Sequence, residues 1–335
     1  MIVLTASGTG GHIYPAIAVA QTLQQKEFCF LIEKGRVSQS ILDRHHYDYV
    51  SLPIVRKKGF SYLLGFFRSL LFFRNHKVRQ VFSFGGYVTV PVVLAARCCG
   101  IDIILFEQNT IPGRANRLLS RFVSNVCLSF PESANYFKGK TILGGNPIRR
   151  FYLPDAVVDS LLSLSWQSGK RCLVFGGSQG AEQLNLFVES HYEWFESQSV
   201  VLIHIMGEVA YRKAYGDQSM VIDQNEKEGV KRVVVPYIHD MKRLYLWSDY
   251  VISRAGATSV AELMFYQKKA LLIPYPHAVD NHQYYNACAF VDLGFGIMAL
   301  QDEVAKSVLK NLFQFELNID SEDVARFHGW KELVS

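Results

Sequence analysis

The sequence has no cysteine pair at C-x-x-C spacing, and most of its six cysteines lie in apolar runs. A disulfide framework and a cysteine zinc site are therefore not expected. Met1 leads directly into a strand pattern, without the basic and then apolar segments of a secretion signal. These absences favour a cytosolic globular protein with reduced cysteines. Its 335 residues, 49% of them hydrophobic, are enough for roughly two domains with sizeable cores.

Acidic residues are scarce in the first half of the chain. Residues 1–150 contain 19 lysines and arginines against 7 acidic residues, whereas the remainder contains 16 against 23. A basic half joined to an acidic half indicates that the basic half faces an anionic partner. Nucleic acid and an anionic membrane surface are the two candidates.

The segment 56–80 contains seven lysines and arginines, no acidic residue and many aromatic and leucine side chains. Arg68 interrupts its apolar run, which is shorter than the ~20 residues needed to cross a bilayer. Such a helix fits an interfacial membrane contact, and a core helix with solvated basic ends is the alternative. Nucleic acid is disfavoured because the aromatic residues cluster with leucines. The predicted membrane contacts are Phe66, Phe67, Arg68, Phe72, Phe73 and Arg74.

Short apolar runs alternate with helical patterns along residues 1–150, which predicts an α/β domain with a parallel sheet. Because ligands bind at the carboxyl ends of parallel strands, the polar segments that follow these strands are expected along one edge. Those segments are Gly8–His12, Gly85–Tyr87 and Glu107–Asn109. Residues 151–170 are interpreted as an irregular connection, and residues 171–335 as a second domain of the same kind.

Two predicted strands lead through glycine-rich turns into helices. The first turn, within residues 5–18, ends in Gly10, Gly11 and His12, and Pro15 predicts the helix start. The second turn is Gly176–Ala181. Free amides and the positive end of the dipole at such a helix start favour a phosphate. A helix N-terminus also favours a neutral imidazole, so His12 is a candidate base. An ordinary tight turn is the alternative interpretation.

Two other classes of protein fit the sequence less well. Glu33 ends the second predicted strand, where a nicotinamide- or flavin-dependent oxidoreductase carries its ribose-binding acid. The first turn, however, lacks the complete G-x-G-x-x-G pattern. A non-catalytic protein of the membrane surface would leave the polar groups after the other strands unexplained. Those groups are Glu262 and Gln283, suited to hydroxyls, and Arg149 or Arg254, suited to phosphates.

Seven segments of the chain, in this order, resemble the motifs of the MurG family of N-acetylglucosaminyltransferases. They are SGTGGHIYPAIAVA from Ser7, FGGY at 84–87, EQN at 107–109, GNPIR at 145–149, GGSQGA at 176–181, RAGATSVAEL at 254–263 and DNHQYYNA at 280–287. The resemblance covers most of the chain and is specific because the motifs occur together.

The resemblance implies a GT-B fold, in which two Rossmann-like domains face each other across a cleft. It implies inverting transfer of N-acetylglucosamine (GlcNAc) from UDP-GlcNAc to the C4 hydroxyl of the muramoyl unit of lipid I, giving lipid II. It further implies a peripheral protein on the cytoplasmic face of the bacterial inner membrane that needs no cofactor and no obligatory metal. A related GT-B enzyme for another nucleotide sugar and lipid acceptor is the nearest alternative.

The resemblance also implies roles for individual residues. The acceptor diphosphate and the reacting centre are assigned to Thr9, Gly10, Gly11 and His12. The preferred base is His12, with Glu107 as the second candidate. The donor groups are assigned to Ser178 and Arg149 for the diphosphate, Ile238 for uracil, Glu262 for ribose, and Asn109, His282 and Gln283 for GlcNAc.

Two departures from the family pattern matter. Phe106 stands where members of the family often carry histidine, so no catalytic role is expected there. In the family, a C-terminal helix packs on the first domain. A short helix is predicted within Ser321–Ser335, and it is not assigned to that family helix.

Overall fold

The computed structural model describes residues 1–8, 10–23, 26–35, 37–56, 58–177, 180–225, 228–319 and 329–334. The chain forms two compact units, one of Met1–Phe151 with Ser321–Ser335 and the other of Tyr152–Asp320. Each unit contains a seven-stranded, largely parallel sheet with helices between its strands. The predicted α/β class with two Rossmann-like domains is confirmed.

The first unit contains a wholly parallel sheet in the order β3-β2-β1-β4-β5-β6-β7. Its strands are β1 (Ile2–Thr5), β2 (Phe28–Glu33), β3 (Tyr49–Leu52), β4 (Gln80–Ser83), β5 (Asp102–Glu107), β6 (Asn125–Leu128) and β7 (Thr141–Leu143). The central strands β1, β4 and β5 are almost entirely buried because helices cover both faces. The strand order reverses between β1 and β4, which is where such sheets bind ligands.

The first four helices of the first unit follow the predicted pattern with one change at the N-terminus, and the fifth was not predicted. These helices are α1 (Gly10–Thr22), α2 (Val37–Arg44), α3 (Gly59–Asn75), α4 (Thr89–Cys98) and α5 (Arg114–Leu119). Pro15 lies inside α1, so the prediction that the helix starts there is wrong. Gly10, Gly11 and His12 therefore form the first helical turn, whose N–H groups have no intrahelical acceptor.

The second unit repeats this architecture with the strand order β10-β11-β9-β8-β12-β13-β14. Its strands are β8 (Lys170–Phe175), β9 (Val200–Ile205), β10 (Val221–Asn225), β11 (Gly229–Val235), β12 (Tyr250–Ser253), β13 (Lys269–Leu272) and β14 (Gly296–Met298). Only β10 is antiparallel, pairing with β11 at one edge. The order reverses between β8 and β12.

The helices of the second unit include several that the sequence analysis did not predict. They are α6 (Ala156–Ser163), α7 (Glu182–Ser190), α8 (Tyr192–Ser197), α9 (Glu208–Tyr215), α10 (Met241–Trp247), α11 (Ala257–Phe265), α12 (His282–Asp292) and α13 (Lys306–Gln314). The segment 151–170, predicted to be irregular, contains α6. Asp155 starts this helix because its side chain accepts a hydrogen bond from the Val157 N–H.

The C-terminal residues differ from the predicted division, which assigned 171–335 to the second domain. A short helix, α14 (Trp330–Val334), belongs to the first unit. The Trp330 N–H donates to the Gly144 carbonyl over 2.8 Å, and the indole is buried in the core cluster that contains Ile13 and Phe82. Burial of a tryptophan this large explains why the chain end joins the first unit. The rest of the predicted C-terminal helix lies outside the described residues.

Helix α3 has small side chains on its inner face and large apolar ones on its outer face. Ser61, Gly65, Ser69 and Phe73 form the buried stripe, and a Cβ on Gly65 would lie 2.5 Å from Ile54 Cγ1. Small residues therefore allow the helix to lie close to its neighbours. Large side chains on the opposite face are exposed, namely Phe60 (79%), Leu63 (57%), Phe67 (61%) and Leu71 (59%).

This arrangement corrects part of the predicted membrane-contact set. Phe73 is only 5% exposed and packs in the core, while Phe66 and Phe72 are half-buried. Phe67, Arg68 and Arg74 are exposed as predicted. Among the described residues, no helix combines the length and the apolar character that crossing a membrane requires.

A buried polar network ties α7 to the second sheet. His204 on β9 is fully buried; its Nε2 lies 3.0 Å from Asn185 Oδ1, and its Nδ1 lies 3.3 Å from an Arg232 guanidinium nitrogen. Glu189 pairs with that guanidinium. Burial, reinforced by the charge on Arg232, lowers the pKa of His204 from 6.5 to about 3.

We expect this histidine to make the second unit acid-labile. Between pH 6.5 and about 3 the unfolded state binds a proton that the folded state excludes, so stability falls as the pH is lowered through this window. One such group costs about 1 kcal/mol per pH unit. Urea unfolding followed by tryptophan fluorescence at pH 7 and pH 4.5 measures the loss. His204→Gln should show a smaller pH-dependent loss than the native chain, and equal losses would contradict this prediction.

Candidate active site

The loops after β1 and β4 are packed together by glycines at the carboxyl edge of the first sheet. Gly86 has a φ of +90°, and a Cβ there would lie 2.1 Å from Ser7 Oγ and 3.0 Å from the Ser7 carbonyl oxygen. Gly85 has a φ of +94°, and its Cβ would lie 3.3 Å from His12 Cε1. Side chains at these positions would therefore be strained and crowded. Glycine at these two positions therefore lets the FGGY segment pack directly against Ser7 and against His12 in the first turn of α1.

Glu33 supports the first glycine turn. Its carboxylate is fully buried, and Oε1 accepts hydrogen bonds from the Gly8 N–H at 3.0 Å and from Ser38 Oγ at 3.5 Å. A ribose-binding acid must face the ligand, whereas this carboxylate faces the turn and α2. Its geometry therefore does not fit the oxidoreductase alternative.

His12 is oriented by Gln108, a residue that sequence reasoning did not single out. His12 Nδ1 lies 3.2 Å from Gln108 Oε1, and Gln108 Nε2 donates to the Phe106 carbonyl over 3.1 Å. A carbonyl can only accept a hydrogen bond, so it fixes the orientation of the Gln108 amide and turns Oε1 toward the imidazole. Nδ1 must then carry the proton, and Nε2 of the neutral ring carries the lone pair.

Glu107 is committed to holding the loop between β5 and α5. Oε1 accepts from the Asn109 N–H (2.9 Å) and side-chain amide (3.3 Å), and Oε2 accepts from the Gly113 N–H (3.1 Å) and Asn116 Nδ2 (2.8 Å). Burial raises the pKa of Glu107, and the four hydrogen bonds oppose that shift. A carboxylate with both oxygens occupied in this way is a structural anchor, so the geometry favours His12 over Glu107 as the base.

The other residues predicted on the first unit lie near α1 or the β5 loop. Gly10 and Gly11 begin α1, while Thr9 lies outside the described residues. Asn109 is held by Glu107. The Arg149 guanidinium stacks on the Tyr14 ring at 4.0 Å and is almost fully buried. Tyr14 is two residues from His12 on α1, so the predicted residues that are described lie near the start of α1 and the loop after β5.

The second glycine turn is packed tightly against β9. A Cβ on Gly180 would lie 2.8 Å from the Met206 carbonyl oxygen, and φ is +72° there. Asn185 on α7 holds the same carbonyl, because its Nδ2 donates to it over 2.9 Å. Glycine is therefore required at this position of the predicted phosphate loop. Ser178, the predicted diphosphate ligand in this turn, lies outside the described residues.

Glu262 is a buried carboxylate in the second turn of α11. Tyr245 OH donates to its Oε2 over 3.0 Å, and Tyr152 OH lies 3.5 Å from its Oε1. Two phenols therefore contact the two oxygens of this carboxylate. Tyr245, which sequence reasoning missed, thus orients the carboxylate.

Ile238 lies in the loop that follows β11, and Gln283 lies in the first turn of α12. The Ile238 side chain is 3% exposed, in the loop between β11 and α10. Gln283 Oε1 accepts from the Tyr275 N–H over 3.0 Å, which leaves its NH₂ group as the donor suited to a sugar hydroxyl. His282 begins α12, and its Nδ1 contacts the Val279 carbonyl at 2.7 Å.

Arg254 is a structural residue. Its guanidinium donates to the carbonyls of Ile273 and Pro274 at 3.1 Å and to Gln301 Oε1 at 2.7 Å. Burial lowers its pKa. Of the two arginines considered for phosphates, Arg254 is thus used to hold the end of β13.

The chain is similar to known glycosyltransferases along nearly all of its length. The glycosyltransferase family 28 N-terminal domain matches residues 2–128, and the family 28 C-terminal domain matches residues 171–325. The fold and these matches define a two-domain glycosyltransferase. A Halothermothrix orenii protein, named UDP-N-acetylglucosamine--N-acetylmuramyl-(pentapeptide) pyrophosphoryl-undecaprenol N-acetylglucosamine transferase, is 35% identical over 95% of this chain and 90% of its own. With such a relative, the chain belongs to the MurG family.

Further relatives agree with this assignment. A Caldicellulosiruptor saccharolyticus protein with the same name is 35% identical over 93% of this chain and 88% of its own. The crystal structure of Acinetobacter baumannii MurG superposes with a TM-score of 0.70 at 28% identity, covering 99% of this chain and 94% of that one. A UDP-GlcNAc 2-epimerase from Methanocaldococcus jannaschii has a TM-score of 0.68 at 12% identity, which shows a shared fold alone.

The structural role of Glu107 can be tested by Glu107→Gln. The variant puts an NH₂ group against N–H donors, so the unfolding free energy should fall by about 2 kcal/mol, with a partial loss of turnover. Denaturant unfolding and a transfer assay measure the two effects. Glu132→Gln, an exposed change in the same unit, is the control. Native stability combined with complete loss of turnover would instead identify Glu107 as the base.

Proposed function

We propose that the chain transfers GlcNAc from UDP-GlcNAc to the C4 hydroxyl of the muramoyl unit of lipid I, with inversion at the sugar. The observation that carries this proposal is the 32–35% identity, along more than nine-tenths of the chain, to proteins named for that transfer. The product, lipid II, is the peptidoglycan precursor, so the activity would serve cell-wall synthesis and, through it, cell shape and cell division.

In the proposed reaction the acceptor oxygen attacks C1 of GlcNAc. The bond from C1 to the diphosphate oxygen breaks, UDP leaves with the electron pair, and a base takes the proton of the C4 hydroxyl. We assign this proton to Nε2 of His12, because Gln108 accepts the Nδ1 proton and leaves the lone pair on Nε2. General-base assistance of this kind contributes roughly 10²–10⁴ in rate.

The remaining groups are assigned by their chemistry. We place the acceptor diphosphate at Thr9, Gly10 and Gly11, because the positive end of the helix dipole at the start of α1 favours an anion. The Glu262 carboxylate suits ribose hydroxyls, and the amides of Asn109 and Gln283 suit those of GlcNAc. Ser178 and Arg149 stay assigned to the donor diphosphate, His282 to GlcNAc and Ile238 to uracil.

A transfer assay with UDP-GlcNAc and lipid I tests this mechanism. The native chain should form lipid II, and His12→Ala should lower kcat by roughly 10²–10⁴ without changing the affinity for UDP-GlcNAc. Titration calorimetry measures that affinity. His46→Asn, at an exposed position, is the control. Near-native turnover in His12→Ala would remove His12 as the base, and absence of transfer by the native chain would contradict the proposed function.

We further propose that the outer face of α3 binds an anionic membrane surface, where a polyprenyl-linked acceptor resides. Phe60, Leu63, Phe67 and Leu71 supply apolar contact. Exposed cations surround them, namely Arg56, Lys58, Arg68, Arg74, Lys77 and Arg79. Exposed aromatic and leucine side chains flanked by cations are suited to the boundary between lipid headgroups and acyl chains. The cytoplasmic face of the inner membrane is the proposed location.

Replacing Phe60, Leu63, Phe67 and Leu71 together by glutamine tests the membrane contact. Binding to vesicles that contain anionic phospholipid should weaken at least about tenfold, because four apolar side chains no longer enter the lipid. Sedimentation with vesicles measures the binding. Thermal stability should not fall, since these side chains are exposed.

The matched control replaces four exposed apolar residues of the second unit by glutamine, namely Leu186, Val209, Leu246 and Val279. It should leave vesicle binding unchanged. Equal vesicle binding by the α3 variant and the native chain would rule out the proposed contact.

A further inference from the structure

Ile238 combines a buried side chain with unused backbone groups. The side chain is 3% exposed and anchors the loop between β11 and α10. Among the residues that the structure describes, neither the N–H nor the C=O of Ile238 makes a hydrogen bond. Backbone polar groups are paired almost everywhere in folded proteins, so a residue offering both groups is suited to a ligand that pairs with both.

Asp155 fixes the peptide group that follows Ile238. Its Oδ2 accepts from the His239 N–H at 2.9 Å and lies 3.5 Å from the Asp240 nitrogen. Its other oxygen, Oδ1, caps α6 through the Val157 N–H at 3.1 Å. One buried carboxylate thus joins the start of α6 to the loop that carries Ile238.

The direction of the Ile238 carbonyl follows from this contact. The Ile238–His239 peptide is trans, so its C=O points opposite to the His239 N–H. Because Asp155 holds that N–H, the carbonyl must point away from Asp155. A charged acceptor on one side of a peptide also polarises the carbonyl on the other side and makes it a better acceptor.

We propose that Asp155 is a positioning residue that makes this site selective for uracil, and this inference rests on the proposed UDP-GlcNAc donor. Uracil presents an N3–H donor next to the O4 acceptor. These groups match the fixed Ile238 C=O and its N–H. Cytosine presents an acceptor at N3 and a donor at N4, so both pairs would be mismatched. Unpaired polar groups in such a contact are the basis of strong discrimination.

Asp155→Ser separates the two functions of the carboxylate. Serine can still cap α6, but its single oxygen cannot also hold the His239 N–H. We expect the Kd for UDP to rise about tenfold and the Kd for CDP to change little, so that the preference for UDP falls about tenfold. Titration calorimetry on the full chain with UDP and CDP measures both constants.

Two control variants are compared with Asp155→Ser. Asp159→Ser alters an exposed carboxylate on the same helix and should leave both constants unchanged. Glu262→Gln should weaken UDP and CDP equally, because both nucleotides carry the same ribose. If Asp155→Ser does not fold, Asp155→Asn replaces it, since asparagine keeps one acceptor and should lower the preference in the same direction.

The outcomes distinguish this inference from the proposed function. A native chain that binds UDP no more tightly than CDP would contradict the proposed donor itself. If the native chain prefers UDP and the Asp155 variant retains that preference, the positioning role alone is wrong. An equal loss of affinity for both nucleotides would also overturn it, because it would mark Asp155 as structural only.

Discussion

Buried carboxylates that accept backbone N–H groups hold the functional loops of both units. Loops at the carboxyl edge of a parallel sheet carry N–H groups that neither strands nor helices satisfy, and leaving them unpaired costs roughly 1–3 kcal/mol each. Glu33 accepts from Gly8, Glu107 from Asn109 and Gly113, and Asp155 from His239. The backbone of these loops is therefore ordered by buried carboxylates of the protein itself.

Residues that hold the loops can therefore be distinguished from residues that are candidates for the chemistry. Glu107 and His12 are both polar groups at strand ends, and the sequence alone leaves either as the base. In the structure, Glu107 uses both carboxylate oxygens within its own loop, whereas Gln108 orients His12 through the Nδ1 atom of the imidazole. Likewise, the buried guanidinium of Arg254 binds carbonyl groups. Burial together with several hydrogen bonds to neighbouring loop groups marks a residue as structural support.

For helix α3, composition predicted an interfacial helix but not which of its side chains are exposed. Its basic and aromatic content predicts an interfacial helix, yet its inner face consists mainly of Ser61, Gly65 and Ser69. An ordinary amphipathic helix buries its large apolar side chains. Here close packing against Ile54 requires small residues inside, so Phe67 remains exposed while Phe73, six residues further on, enters the core.

The sequence by itself determined the α/β class, most strand positions, the two glycine turns and the family. Apolar periodicity and local motifs depend only on residues that are close together in the sequence. Sequence reasoning missed α5, α6, α8, α9 and α10 and assigned α14 to the wrong unit. Tertiary structure alone decided that Trp330 packs beside Gly144, that Gln108 sets the His12 tautomer, and that Asp155 reaches His239. These contacts join residues up to 186 positions apart (Gly144 and Trp330), and only the folded chain brings such groups within hydrogen-bonding distance.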